Sequence, residues 1–151
     1  MAYFAISLAQ TSCKLQKQTL VEEGLKNDPG ITLVDTDEFS GIYEAKSMVI
    51  RDMKSLSKFY SQVNKTRKPG LPVPTIDFSK YTVLAICAGE QRPSSKMVLS
   101  YGKEDDNHLK INMKVTNSNT TNQPEITVIT YPFYLYTIPS TTKVIDFQYT
   151  Q

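Results

Sequence analysis

The sequence predicts a mainly β, α+β fold: an antiparallel β-sandwich or strongly curved sheet with one packed amphipathic helix. Strand-like runs recur at intervals of about 8–12 residues and are separated by turn residues. Segment 108–115 alternates polar and apolar side chains without exception, as a half-buried antiparallel strand does. Only one segment, 52–64, carries apolar residues at a convincing helical spacing.

The composition limits the classes of function. The chain has 151 residues, enough for one domain with a single core, and a net charge of +2, short of the strongly basic character of nucleic-acid-binding domains. It has no apolar stretch of transmembrane length, and its two cysteines exclude a disulfide framework. The only histidine, His108, argues against most metal sites and histidine-based catalysis.

The N-terminal segment 1–13 is apolar and ends at Cys13. It resembles the end of a bacterial lipoprotein signal peptide, in which the cysteine is lipidated and becomes the mature N-terminus. We therefore expect Cys13 to be a lipid anchor and the true start to lie upstream of Met1. The alternative is a disordered or strand-forming N-terminus with an incidental cysteine.

The next segment, 14–30, is polar and is expected to be flexible or to form a short helix opened by Thr19. It ends in an Asp-Pro-Gly turn at 28–30. The β-rich domain is then predicted to comprise 31–151, with its first two strands at 31–34 and 42–50.

The predicted helix follows at 52–64, with Asp52 as its N-cap. Its apolar face, expected to pack on a sheet, consists of Met53, Leu56, Phe59, Tyr60 and Val63. The connector 64–79 contains three prolines, which favour a stiff, extended chain.

The remaining chain is predicted to form strands. Segment 81–88 is almost continuously apolar, as in a strand buried on both faces, and Cys87 within it is expected to be a core thiol with a raised pKa. The further strands are predicted at 97–101, 108–115, 125–130, 133–138 and 143–149.

Positive charge is concentrated in the middle of the chain, where residues 51–100 include 9 basic and 3 acidic side chains. The basic residues lie on and just after the helix: Arg51, Lys54, Lys58, Lys65, Arg67 and Lys68. Aromatic residues are not interleaved with them on a strand, so nucleic acid is not the expected ligand. We interpret the group as a solvated basic corner that would also attract an acidic protein partner.

The sequence offers little catalytic chemistry. Nucleophilic catalysis needs a Ser or Cys beside a base, but the alternation places His108 on the solvent face and Cys87 in the core. Glycines occur only singly, so no phosphate-binding loop is present. We expect no enzymatic activity, no metal and no cofactor. The alternative is a small hydrolase or ligand-binding β domain with a site near Cys87, Tyr101 and His108.

Four features recur in order within residues 76–139, namely an Asp-Phe pair, an apolar strand with a Gly-Glu turn, a Tyr-Pro pair and a later proline: Asp77-Phe78, 82–90, Tyr131-Pro132 and Pro139. With these features the segment resembles the C-terminal domain of the protease complex subunit PrcB family of bacterial envelope and secreted proteins. The family's Pro-Thr-Gly-Gly-Tyr loop is replaced by Pro-Ser-Ser-Lys-Met at 93–97. The resemblance implies a β scaffold that binds or stabilises a protease complex.

The protein is therefore predicted to be a non-enzymatic binding or assembly module of the cell envelope. We expect it to be a periplasmic or outer-membrane-anchored lipoprotein, or to be secreted. Its expected partner is an envelope protein such as a protease, with membrane contact only through the lipid anchor. A purely structural lipoprotein without a discrete partner is the remaining alternative. The candidate protein-binding residues lie on the connector and on the loop after the central strand: Lys65, Arg67, Lys68, Leu71, Glu90, Arg92, Ser94 and Ser95.

Overall fold

The computed structural model describes residues 27–92, 95–117 and 128–150. The predictions for Cys13, for the helix opened by Thr19 and for Ser94 fall outside these residues. The elements are β1 Thr32–Asp37, β2 Lys46–Ile50, α1 Met53–Val63, β3 Tyr81–Cys87, β4 Ser95–Glu104, β5 His108–Asn117, β6 Phe133–Pro139 and β7 Val144–Tyr149. No helix in the described ranges is long and apolar enough to cross a membrane.

The strands form two sheets, and the predicted mainly β, sandwich-like fold with one helix is confirmed. The first sheet has the order β1-β6-β3-β2 and is antiparallel throughout. The second has the order β4-β5-β7, in which β4 and β5 form a hairpin and β5 and β7 are parallel. β5 and β7 run parallel because the chain between them includes β6. This strand lies in the first sheet and brings the chain back to the end of the molecule where β5 begins.

Two apolar clusters divide the molecule into three layers. The first sheet lies in the middle, with the second sheet on one face and α1 on the other. Alternate residues of β3 serve the two clusters: Leu84 and Ile86 face the second sheet, whereas Val83, Ala85 and Cys87 face the helix. This central position explains the continuous apolar run of β3, as predicted from the sequence.

The helix begins and ends where its sequence predicts. The Asp52 carboxylate accepts a hydrogen bond from the Ser55 N–H at 2.8 Å and so caps the first turn. The buried residues of α1 are Leu56, Phe59, Tyr60 and Val63. Met53, predicted to share this face, is 40% exposed because it lies in the first turn, beyond the edge of the core.

Side chains form hydrogen bonds with the backbone along the outer edge of β4. The hydroxyls of Tyr134 and Tyr136 cross between the sheets and donate to the Ser95 and Met97 carbonyls at 3.0 and 2.6 Å. The side chain of Asp28 accepts from the Tyr101 N–H at 2.7 Å. Residues 27–30, assigned from the sequence to a flexible or short-helical segment, are therefore attached to the β domain. Such satisfied groups leave little of this edge free for another strand.

Two predicted strands differ from the structure at their described residues; positions 125–127 lie outside these residues. Residues 42–45 form a loop, and β2 begins only at Lys46. Among 125–130, the described residues 128–130 lie outside any strand, apart from an isolated bridge between Thr130 and Gln91. Both apolar segments contribute side chains to a loop surface instead of a sheet.

Candidate functional site

Three connections meet at one end of the sandwich, beyond the last residue of β3. We call this region the loop end; its described residues are 38–45, 88–92 and 128–132. Backbone hydrogen bonds join the connections, from the Ser40 N–H to the Tyr131 carbonyl at 2.7 Å and from the Gln91 N–H to the Thr130 carbonyl at 2.9 Å. The loop end is therefore a fixed surface, although it contains little regular structure.

A glycine permits the close approach of two of these loops. Gly89 has a φ of 68°, a conformation that side-chain-bearing residues rarely adopt. A Cβ atom at this position would also lie 3.1 Å from the Ala45 backbone nitrogen. Gly89 thus brings the loop after β3 against the loop before β2. It lies in the Gly-Glu turn that is predicted to follow the apolar strand.

The loop end carries exposed aromatic rings. Phe39 is 55% exposed and Tyr43 is 72% exposed. The Tyr43 ring packs edge-on against Tyr131, with the ring centroids 4.9 Å apart, and Phe39 pairs with Tyr131 through a backbone bridge. We call Phe39, Tyr43 and Tyr131 the aromatic patch. Val128 and Ile129, each more than half exposed, precede Tyr131 in the same connection.

A cavity of about 430 Å³ lies between this surface and the carboxyl end of α1. The residues that line it come from the loop before β2 and from the end of the helix: Gly41, Ile42, Tyr43, Glu44, Gln62 and Lys65. The lining therefore includes one aromatic ring, that of Tyr43, one acidic side chain, Glu44, and one basic side chain, Lys65. It is large enough to receive a side chain of a partner protein.

The connector meets the loop end through Arg67. The Arg67 guanidinium pairs with the Asp37 carboxylate, with one N–O distance of 3.2 Å, and also donates to the Phe39 carbonyl. This contact fixes the chain beside the aromatic patch. Its charge is compensated, so Arg67 supports the loop end structurally and adds little free positive charge to the predicted basic corner.

The other predicted connector residues differ in exposure. Lys65 and Lys68 are exposed, and Lys65 lines the cavity. Leu71 is half-buried against the helix-side core, and Asn64 exchanges hydrogen bonds of 2.9 and 2.7 Å with its backbone. Leu71 therefore anchors the connector, while Lys65 is the connector side chain placed best for a partner at the loop end.

The predicted binding residues in the loop after β3 also differ in exposure. Glu90 and Arg92 are exposed at the loop end. Ser95 is buried at the start of β4, where its carbonyl accepts the Tyr134 hydroxyl. The two predicted surfaces, the connector and this loop, are thus joined by the loop before β2, which contributes Phe39 and Tyr43.

The aromatic patch was missed from the sequence. Tyr43 lies inside the predicted strand 42–50, and Phe39 lies between the predicted strands 31–34 and 42–50, where no site residue is predicted. The available signal was the pair of aromatic side chains between Asp37 and the start of β2, in a segment without period-2 alternation.

The alternative site near Cys87, Tyr101 and His108 is not brought together. Cys87 is buried between the first sheet and α1, Tyr101 packs between the two sheets, and His108 is exposed on the second sheet. Burial raises the pKa of the Cys87 thiol to about 11. His108 Nδ1 lies 2.9 Å from an Asp146 carboxylate oxygen. Neither Cys87 nor Tyr101 lies beside the His108 ring, so the imidazole could not activate either side chain as a nucleophile.

Neither ligand clusters nor similar proteins identify the function. Among the side chains that the structure describes, no group of three or more His, Cys, Asp or Glu residues is arranged to hold a metal ion. Comparisons of the chain with family models, curated proteins and solved structures found no match. The placement of the residues themselves is therefore the basis for assigning a function.

Proposed function

We propose that this protein is a non-enzymatic binding or assembly module of the cell envelope, and that the loop end is the surface that holds its partner protein. The observation that supports this most strongly is the aromatic patch. Tyr and Phe are enriched in the centres of protein interfaces, where they bury large areas at a low cost in conformational entropy. Here two such rings are more than half exposed on a surface that hydrogen bonds hold in place.

The surroundings of the patch favour a protein rather than a small molecule. The cavity beside Tyr43 is open to solvent, is lined by side chains from a loop and a helix end, and suits one projecting side chain of a partner. Exposed charges of both signs surround it: Glu38, Glu44, Glu90, Lys65 and Arg92. An apolar centre within a mixed polar rim is the usual anatomy of a protein interface.

The envelope location and the class of partner rest on the sequence. Cys13 would tether the protein through a lipid, and the resemblance of residues 76–139 to the PrcB family makes a protease complex the first partner to test. Because residues 93–97 lack the family's glycines, we assign binding to the aromatic patch and not to that loop.

The proposal is tested by capture from solubilised envelopes of the protein's own cells. Wild-type protein should retain a discrete partner, and Phe39→Ser with Tyr43→Ser should lose at least about tenfold of it, because interface hot spots, which are enriched in tyrosine, contribute about 2 kcal/mol or more and about 1.4 kcal/mol corresponds to tenfold. Tyr81→Ser is the matched control, because Tyr81 is 44% exposed at the opposite end of β3. Equal capture by all three proteins would refute the assignment.

A further inference from the structure

The outer face of α1 carries a row of lysines. Lys54, Lys58 and Lys65 are separated by four and seven residues, so they lie on one side of the helix and its final turn. The Lys65 N–H donates to the Gln62 carbonyl at 3.2 Å, which continues that turn beyond Val63. All three are exposed, opposite the buried face of α1. We call them the lysine row; helical geometry makes it about 16 Å long.

Few acidic groups lie near the lysine row: Glu44 lines the same cavity as Lys65, and Asp52 caps the helix beside Lys54. Residues 53–76 contain five basic side chains and no acidic one. No ion pair between described residues involves Lys58 or Lys65, and Lys54 interacts only with the helix-capping Asp52. The second sheet also carries exposed lysines, among them Lys96 and Lys114, but they lie on different strands, and Glu104 and Asp146 are exposed on the same sheet. The lysine row is instead a run of like charge along one side of a single helix.

The chemistry of this face favours lipid over protein or nucleic acid. The other exposed side chains of α1 are mostly polar: Ser55, Ser57, Ser61 and Gln62, with Met53 in the first turn. Lysine is depleted in the centres of protein interfaces, and single-stranded nucleic acid is usually held by stacking on aromatic rings. A layer of anionic headgroups needs neither a pocket nor a fixed geometry, and each nearby lysine adds to the attraction.

We propose that the lysine row docks the domain on an anionic phospholipid surface. This contact is separate from any lipid on Cys13, and it meets the partner surface at Lys65, which also lines the cavity of the loop end. The loop end borders the last turn of α1 and would lie beside the docked face, where a partner can still reach it. Two weak attachments, one lipid chain and one basic face, give more stable membrane binding than either alone.

The test uses Cys13→Ser protein, which cannot be lipidated at this position, in flotation with vesicles. Vesicles of phosphatidylcholine with phosphatidylglycerol should bind it, those of phosphatidylcholine alone should not, and binding should weaken between about 50 mM and about 500 mM salt. Lys54→Glu with Lys58→Glu should reduce the affinity at least roughly 30-fold. Both positions are exposed, and a glutamate at 54 suits the first turn of a helix, so the variant should fold.

The matched control is Lys96→Glu with Lys114→Glu, which changes the net charge equally at exposed positions of β4 and β5. It should change vesicle affinity little. The proposal fails if wild-type protein ignores anionic vesicles, if both double variants lose binding equally, or if soluble polyglutamate binds more strongly than vesicles at equal charge. Tyr43→Ser protein should bind vesicles normally; if it does not, the aromatic patch makes the membrane contact. If the lysine row turns out not to bind vesicles, the expected result of the partner-capture experiment is unchanged, so the two proposals can fail separately.

Discussion

Tyr43 exposes almost three quarters of its surface, yet its ring has a specific contact inside the molecule. The edge-on contact with Tyr131 holds the ring, and the Ser40 backbone is bonded to the same connection. An aromatic side chain held in this way loses little further freedom when it is covered by a partner. At the scale of single residues, this is the main reason to place binding at the loop end.

Arg67 shows that a charge counted in the sequence is not always a charge on the surface. It belongs to the densest basic stretch of the chain, but the structure gives it Asp37 and the Phe39 carbonyl as partners. Lys65 and Lys68, two residues before it and one after it, remain exposed. The connector is therefore less basic toward solvent than its composition suggests.

Cys87 provides a prediction at this scale. Burial raises the pKa of its thiol from 9.0 to about 11, so the thiolate that reacts with alkylating reagents is scarce at neutral pH. In a Cys13→Ser background, where Cys87 is the only thiol, iodoacetamide at about pH 8 should label the native protein at least about 100-fold more slowly than the urea-unfolded protein. Rapid labelling of the native protein would instead support the hydrolase alternative.

At the scale of elements, periodic side-chain patterns predicted the regular structure well. The alternation in β5 and the continuous run in β3 both reflect burial that the strand geometry imposes, on one face and on two. The helix was predicted because its cap and its apolar stripe agree. Segments 42–45 and 128–130 resemble strands in composition, but tertiary contacts hold them in loops.

The cap of α1 gives a prediction for one element. The Ser55 backbone and side chain both donate to the Asp52 carboxylate, which lowers the pKa of that carboxyl. Asp52→Ala should therefore lower the melting temperature by about 2–4 °C. Asp52→Ser should retain most of the stability because serine is also a good N-cap. An unchanged melting temperature of the alanine variant, followed by circular dichroism, would contradict the capping role.

At the scale of the whole molecule, the strand order creates the candidate site. The order β1-β6-β3-β2 places the loop before β2 beside the connection that enters β6, although about 90 residues separate Phe39 from Tyr131. Local patterns contain no information on this pairing, so the convergence of the connector, the aromatic patch and the loop after β3 could not be predicted. Glu90, Arg92 and Lys65, predicted to bind a partner, are exposed, and that they share one surface follows from the fold and not from their positions in the sequence.

Buried phenols predict how the stability of the molecule depends on pH. Burial raises the pKa of Tyr134 to about 12 and also raises the pKa values of Tyr60 and Tyr136. In the unfolded chain tyrosines titrate near pH 10, so above that pH the unfolded state releases protons that the folded state keeps. The free energy of unfolding should therefore fall between about pH 9.5 and 12, by up to roughly 1.4 kcal/mol per pH unit for each group.

Urea unfolding at a series of alkaline pH values measures this dependence. The free energy of unfolding should stay nearly constant between neutral pH and about pH 9, as far as these tyrosines determine it. Phenolate absorbance of the buried rings should then appear together with unfolding. A constant free energy up to about pH 11 would show that the three phenols are accessible to solvent in the folded protein.

The claim that the loop end holds a partner protein is tested most directly by site-specific photocrosslinking in the protein's own cells. A benzoylphenylalanine at position 43 should yield one discrete crosslinked species, identified by mass spectrometry. The same residue at position 81, where Tyr81 is also exposed but at the far end of β3, should yield none. No crosslinked species from position 43, or the same species from both positions, would contradict the account.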